Sequence, residues 1–253
     1  MRRIKLIVAY DGTEYSGWQI QPEAPTIEMY LDKAIHELTG ENVHVTGASR
    51  TDAGVHAYGN VAVFDTESTI PGDRFTFALN RFLPDSIVIQ DSWEVSGDFH
   101  PRHCNTRKTY EYRILNTAVP LPQKRNFTWH VAGSIDIDKM REAAAYIVGE
   151  HDFKSFCCVR TQAESTVRTI YSLEVLQKGS EIIICIKGNG FLYNMVRIIT
   201  GTLIQVGKGR FKPEYVKQML EAKDRTVAGQ TAPPQGLTLV SIEYVDNDDA
   251  RVV

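Results

Sequence analysis

The chain of 253 residues has four cysteines, Cys104, Cys157, Cys158 and Cys185, with no C-x-x-C pair among them. Two are adjacent, and no histidine pair stands at chelating spacing, which argues against both a disulfide framework and a bound metal. Long apolar runs are missing too. No stretch approaches the length needed to cross a bilayer, and Met1-Arg2-Arg3-Ile4 leads straight into an amphipathic segment without the apolar core of a signal peptide. The expectation is a cytoplasmic protein that does not engage a membrane. A surplus of positive charge is also absent: 28 Lys plus Arg stand against 31 Asp plus Glu, a formal charge of -3, so the overall balance gives no support for a polyanion partner. The histidines (His36, His44, His56, His100, His103, His130 and His151) have neither ligand spacing nor Ser/Asp partnering, which leaves a hydrolase triad little support. An intact dinucleotide fingerprint is lacking as well. Lys187-Gly188-Asn189-Gly190-Phe191-Leu192-Tyr193 resembles one, but Tyr193 occupies its third glycine position, so no nucleotide cofactor is expected.

What is present is a hydrophobic content of 43%, enough for one large core or two small ones. Charge is unevenly spread. Ile182 to Pro213 contains no Asp or Glu while holding Lys187, Arg197, Lys208, Arg210 and Lys212, and Arg102, Arg107, Lys108 and Arg113 face only Glu111 between Arg102 and Arg113. Acid gathers elsewhere, as in Asp246, Asp248 and Asp249. A basic surface on a mildly acidic protein is one reading and a solvated charged face the other.

Periodicity predicts a β-α-β-β-α-β order in the first part of the chain: strands at Arg3 to Tyr10, Val43 to Ala48, Val55 to Phe64 and Ser86 to Val95, with helices opening at Thr26 and over Pro71 to Phe82. Thr26 is placed to cap the first helix and Gly40 to stop it. The order recurs with strands at Thr106 to Asn116, Thr166 to Gln177, Ile182 to Lys187 and Leu237 to Val245, and helices at Ile137 to Val148 and Phe191 to Val206. An extra helix is inserted at Pro213 to Lys223. The expected fold is therefore α+β, two ferredoxin-like β-α-β-β-α-β halves (1-104 and 105-253) with mainly antiparallel sheets flanking a central cleft.

Three constellations stand out. Gly47-Ala48-Ser49-Arg50-Thr51-Asp52-Ala53-Gly54-Val55-His56-Ala57 joins two strands of the first half, with small residues that let another molecule approach Arg50 and Asp52. Asp52 reads as a working carboxylate, although Arg50-Thr51-Asp52 taken alone is better explained as an Asx-type surface turn. Tyr110 and Tyr112 share one strand face with Lys108, suited either to stacking bases or to lying over a core. Arg197 sits in an otherwise apolar helix, where a charge is costly to bury without a partner; it either snorkels at the helix edge or seeks a carboxylate or phosphate in a cleft. A neighbouring guanidinium, Arg50 or Arg197, would keep Asp52 ionised and oriented for attack on an activated carbon.

The residues also resemble a known family. Tyr10-Asp11-Gly12, Gly17-Trp18-Gln19, Ser49-Arg50-Thr51-Asp52-Ala53-Gly54-Val55-His56-Ala57, Arg107-Lys108-Thr109-Tyr110-Glu111-Tyr112, Asp152-Phe153 with Phe156, Gly190-Phe191-Leu192 with Met195-Val196-Arg197, and Ala232-Pro233 with Gly236-Leu237 run in order from end to end as in A-type tRNA pseudouridine synthases. That resemblance implies an isomerase acting on uridines 38, 39 and 40 of the tRNA anticodon stem-loop. It implies that Asp52 is the nucleophile, that Tyr110 packs against the target base, that Arg197 pairs with Asp52 and that Arg50 helps displace the uridine from the stack. It further implies a homodimer with tRNA as partner and no cofactor. Ser49 where glycine is common and Glu28 where glutamine is common are the visible departures, and neither touches a charged catalytic role.

Overall fold

The computed structural model describes residues 1–158 and 163–245; the acidic tail Asp246, Asp248 and Asp249 lies outside the described residues. The fold is mixed α+β, in two compact units: Met1–Thr106 with the strand that continues from Thr238, and Arg107–Leu237.

The first unit begins with β1 (Arg2–Tyr10), α1 (Ile27–Thr39), β2 (Thr46–Gly47), β3 (His56–Thr66), α2 (Phe75–Leu79) and β4 (Ile87–Val95). β1 is central, antiparallel to β3 with Ile4 opposite Phe64 and antiparallel to β4 with Ile4 opposite Glu94, while β2 pairs antiparallel with β3 at Gly47 and Ala62. Ile4, Leu6 and Val8 alternate along β1 with Lys5 and Ile7, and both sets are buried, so the sheet is covered on two faces. On one face Phe64 meets Phe75 of α2 edge to face at 5.3 Å. On the other, Ile7, Ala48, Val61 and Trp93 form a cluster joined by Val95, Ile242 and Tyr244. Lys5 survives burial there because its Nζ lies 4.6 to 4.8 Å from the ring centres of Trp93, Phe99 and Tyr244, whose π faces attract a cation.

Helix boundaries follow local chemistry. Thr26 Oγ1 accepts the Met29 N–H at 3.4 Å to open α1, and Gly40, at φ 77°, closes it by donating its N–H to His36 O. α2 is shorter than the spacing from Pro71 to Phe82 predicts. A 3-10 turn at Gly72–Arg74 precedes it, and beyond Leu79 the Asn80 carboxamide pairs with both backbone groups of Ile89 at 2.8 and 3.0 Å, tying the chain to β4 in place of another helical turn.

The second unit contains β5 (Thr106–Leu115), β6 (Trp129–His130), α3 (Ile137–Ala145), β7 (Gly149–Asp152), β8 (Val167–Lys178), β9 (Glu181–Gly188), α4 (Met195–Gly207) and α5 (Tyr215–Ala222). Its strands run β5-β9-β8-β7, antiparallel throughout, with β6 added in parallel to β5. Tyr110, Tyr112 and Ile114 of β5 lie opposite Ile186, Ile184 and Ile182 of β9, and α4 is buried along nearly its whole length. The chain then ends its described course in β10 (Leu237–Tyr244), which pairs in parallel with β3 at Thr238–His56 and Leu239–Ala57.

The loop after β1 carries two aromatics that pack back on the core. Tyr15 and Trp18 are both buried, Trp18 with 1% of its surface exposed. Removing a buried indole leaves a cavity that a close-packed unit fills only in part. Trp18→Ala is expected to lose about 3–5 kcal/mol of unfolding free energy, measured by urea titration with the slope unchanged.

Candidate active site

The loop between β2 and β3 is fastened at alternate residues. Ser49 and Thr51 are buried, whereas Arg50 is exposed and Asp52 half-buried. Asn60 of β3, fully enclosed, accepts the Ser49 N–H at 3.3 Å and donates to Ser49 O at 3.0 Å and to Tyr10 Oη at 3.4 Å. Tyr10 Oη in turn shares a hydrogen bond of 2.7 Å with Thr51 Oγ1. From the other side Trp18 N–H reaches Thr51 O at 3.0 Å and Gly54 N–H reaches Tyr15 O at 3.2 Å. Val55 N–H closes the turn on Asp52 O at 3.1 Å. The backbone is therefore held on both flanks while Arg50 and Asp52 project from it.

The approach needs glycine at two points. Gly17 lies at φ 96°, and a Cβ there would stand 2.7 Å from Thr51 O; a Cβ on Gly47 would enter the indole of Trp18. His56, at the far end of the loop, has its Nδ1 3.0 Å from the Gly12 backbone nitrogen. Asp11 Oδ1 lies 3.2 Å from the same nitrogen and also accepts from Thr13 N–H and Oγ1.

A second cation belongs to this surface. Arg102 lies on the turn after Phe99, where His100 and His103 stack at 3.8 Å and Tyr244 Oη fixes Pro101 O at 3.1 Å. Partial burial, and after it the charge of Arg50, pulls the Arg102 guanidinium below the usual arginine range. Neither Arg50 nor Arg102 has a side-chain hydrogen bond or ion pair among the described residues.

Tyr110 and Arg197 belong to the second unit. Tyr110 is 9% exposed and meets Phe191 edge to face at 5.1 Å. Tyr112, two residues on, is completely buried and donates its hydroxyl to Pro233 O at 2.7 Å. Burial drives its phenol far above the usual value, with the Arg197 charge opposing in part, so Tyr112 stays protonated and is a fixed support.

Arg197 stands nearer the start of its helix than its sequence spacing predicts. α4 begins at Met195, not Phe191, because Asn194 takes a left-handed backbone at φ 62° and breaks the run. Arg197 thus lies in the first turn. Its Nε donates to Ala232 O at 2.7 Å and its Nη1 to Asn194 Oδ1 at 2.8 Å, while Ala232 N–H returns to Arg197 O at 3.1 Å. Among the described residues no group of three or more His, Cys, Asp or Glu is arranged to hold a metal.

A family model described as tRNA pseudouridine synthase matches residues 6–103 and 143–245, which include the fastened loop and the α4 start. The chain belongs to this family. It is a pseudouridine synthase, and thus an isomerase. It is 51% identical over 245 residues to tRNA pseudouridine synthase A of Ruminiclostridium cellulolyticum and 48% identical over 244 residues to that of Thermoanaerobacter sp. (strain X514), covering 96% of this chain and 100% of each relative. A solved structure, the crystal structure of a Cbf5-Nop10-Gar1 complex, matches at 13% identity over 93% of this chain and 57% of that one, with a TM-score of 0.35 too low to bear on the fold.

Beyond the expected side chains, Asn60 and Arg102 in the first unit and Asn194 and Ala232 in the second stand next to them, none of which sequence reasoning assigned a role. Arg102 was legible only as one charge in a basic segment, and Ala232 as part of a family stretch. Asn60 is a polar residue in an apolar strand, a pattern that marks a buried hydrogen-bonding duty. Its loss leaves the Ser49 backbone groups without their partner. Asn60→Ala is expected to lower stability by about 1–3 kcal/mol, seen as a reduced thermal midpoint with unchanged secondary structure by circular dichroism.

Proposed function

We propose that this pseudouridine synthase converts uridine to pseudouridine at positions 38, 39 and 40 of the tRNA anticodon stem-loop, with Asp52 as nucleophile. The observation that carries the reading is the geometry of the β2–β3 loop: an exposed guanidinium and a half-buried carboxylate stand on a backbone immobilised on both flanks. The names of the relatives support tRNA as the substrate.

The chemistry asks for little beyond a placed carboxylate and an extruded base. Asp52 attacks the nucleoside, the bond from uracil N1 to C1′ breaks, the uracil turns in place, C5 bonds to C1′, and the bond to Asp52 breaks to return the free carboxylate. The C5 proton leaves and N1 ends protonated, so the product is an isomer and no redox partner or cofactor is consumed. A stacked stem hides the reacting atoms, so the uridine must first leave the helix. Arg50 is the proposed group that displaces it, Tyr110 the ring against which it packs, and Arg197 the cation that keeps the carboxylate charged. The antiparallel order β4-β1-β3 with β2 on β3 supports a ferredoxin-like reading of the N-terminal half, residues 1-104, with residues 105-253 forming its counterpart. The working form is a cytoplasmic homodimer.

Asp52→Asn and Asp52→Ala are expected to reduce pseudouridine formation in a tRNA transcript on the order of 10³-fold or more, with tRNA affinity retained. Undiminished product in either variant would remove Asp52 from the chemistry, and pseudouridines mapped outside the anticodon arm would redirect the substrate assignment. Arg50 and Arg102, two cations without a side-chain hydrogen bond or ion pair among the described residues, suit backbone phosphates. The Arg102→Gln enzyme is expected to bind tRNA more weakly and to flatten the plot of log affinity against log salt by about one unit.

A further inference from the structure

The start of α4 carries three features that are each locally unfavourable. Asn194 occupies the N-cap position, where asparagine ordinarily serves by accepting a backbone N–H of the first turn; here its side chain makes no such bond. Its backbone sits at φ 62°, ψ 6°, a left-handed conformation that asparagine tolerates but that glycine adopts more readily. Arg197 places a positive charge in the first turn, at the positive end of the helix dipole. Helix stability alone would select a capping Ser, Thr or Asp at 194 and an acidic residue at 197.

The side chains show where the compensation goes. Asn194 Oδ1 accepts from Arg197 Nη1 at 2.8 Å, while Ala232 O accepts from Nε at 2.7 Å, so two separate acceptors grip one guanidinium. A planar group held at two of its nitrogens cannot rotate about its long axis. The Ala232 side of the grip is itself braced: Ala232 N–H is bonded to Arg197 O, and the neighbouring Pro233 O receives the Tyr112 hydroxyl. Strain of this kind persists where the surrounding structure over-determines it, and it concentrates at working sites.

We propose that Asn194 is a positioning residue of the isomerase: its carboxamide oxygen, delivered by the left-handed turn, orients Arg197 for the reaction. The inference rests on the proposed role of Arg197 in catalysis. Asn194 touches neither the uridine nor Asp52 in this scheme, so its contribution passes wholly through the guanidinium.

Three variants separate the carboxamide from the turn. Asn194→Gly keeps a left-handed backbone at ease and deletes the acceptor; Asn194→Asp keeps an acceptor on a residue that also enters this region; Asn194→Ala loses both. Under single-turnover conditions with a tRNA transcript, the Gly and Ala variants are expected to lose about tenfold or more in the rate of pseudouridine formation, with tRNA affinity within about twofold of wild type. Asn194→Asp is expected to recover most of the rate. On an Arg197→Ala background, Asn194→Gly should cause no further loss, because a residue acting through another has nothing left to act on. A wild-type rate in Asn194→Gly, a rate in Asn194→Asp as low as in the Gly variant, or an additive loss in the double variant would each overturn the proposal. Guanidinium resonances of Arg197 in ¹⁵N spectra give a readout independent of turnover. The Nη1 protons are expected to exchange slowly in wild type and Asn194→Asp and rapidly in Asn194→Gly; equal exchange in all three would overturn the assignment even if the wild-type enzyme proved inactive on tRNA, an outcome that would itself refute the proposed function.

Discussion

The double grip of Asn60 on Ser49 is the interaction on which the rest of the first unit's site depends. A side chain that is to meet a large polyanion has to be on the surface, yet surface loops are the least rigid parts of a fold. The chain resolves this conflict by alternation. Ser49 and Thr51 turn inward to Asn60 and Tyr10, which forces Arg50 and Asp52 outward from a backbone that is already satisfied. Asn60 comes from the middle of β3, a strand paired along most of its length with β1, so the loop inherits the stiffness of the sheet. The flanking loop completes the arrangement, since the Trp18 indole fills the space beneath Gly47 and the Trp18 backbone N–H donates to Thr51 O.

The second unit uses packing differently. Its α4 is apolar on nearly every side, with Ile198, Ile199, Leu203, Ile204 and Val206 all buried, and such a helix does not depend on its first turn for stability. The surplus of buried apolar surface tolerates an uncapped start, a left-handed asparagine and an arginine against the dipole. Local cost is thus offset by tertiary packing several residues away, which is why a stretch that looks poorly made as a helix end endures in a stable protein.

Much of this was legible in the sequence, and what was not has definite physical causes. Thr26 and Gly40 bound α1 as their chemistry predicts, because capping is decided within a few residues. The start of α4 was misplaced because Phe191 and Leu192 continue the apolar spacing of the helix, and periodicity does not register a residue whose backbone turns left-handed. β7 escaped notice: Gly149-Glu150-His151-Asp152 has no apolar alternation, and its pairing with β8 is a matter of backbone bonds. β2 is only two residues long where a strand from Val43 to Ala48 was expected, since ahead of it the Val45 N–H is bonded by the Asp32 carboxylate at 2.9 Å and not by a ladder. Of the proposed site residues, Arg50 and Asp52 stand out in the sequence by their setting among glycine and alanine, whereas Asn60 and Asn194 make their contacts only once the chain has folded.

The two tyrosines of β5 show how the same strand face yields two different duties. Tyr112 is closed in by Gly236 and bound to Pro233, so its hydroxyl is committed to the fold. Tyr110 lies at the other end of that row, and its ring meets Phe191, midway along the connection from β9 to α4. That connection is held at several points: Asn189 exchanges bonds of 3.0 Å with Thr169, Tyr193 O accepts from Cys158 N–H, and Asn194 holds Arg197. One short segment therefore touches the Tyr110 ring at its middle and the Arg197 guanidinium at its end. A shift of residues 189–194 would move both together, so the aromatic support and the cation are positioned as one body, and the left-handed turn at Asn194 is the point where the direction of that body is set.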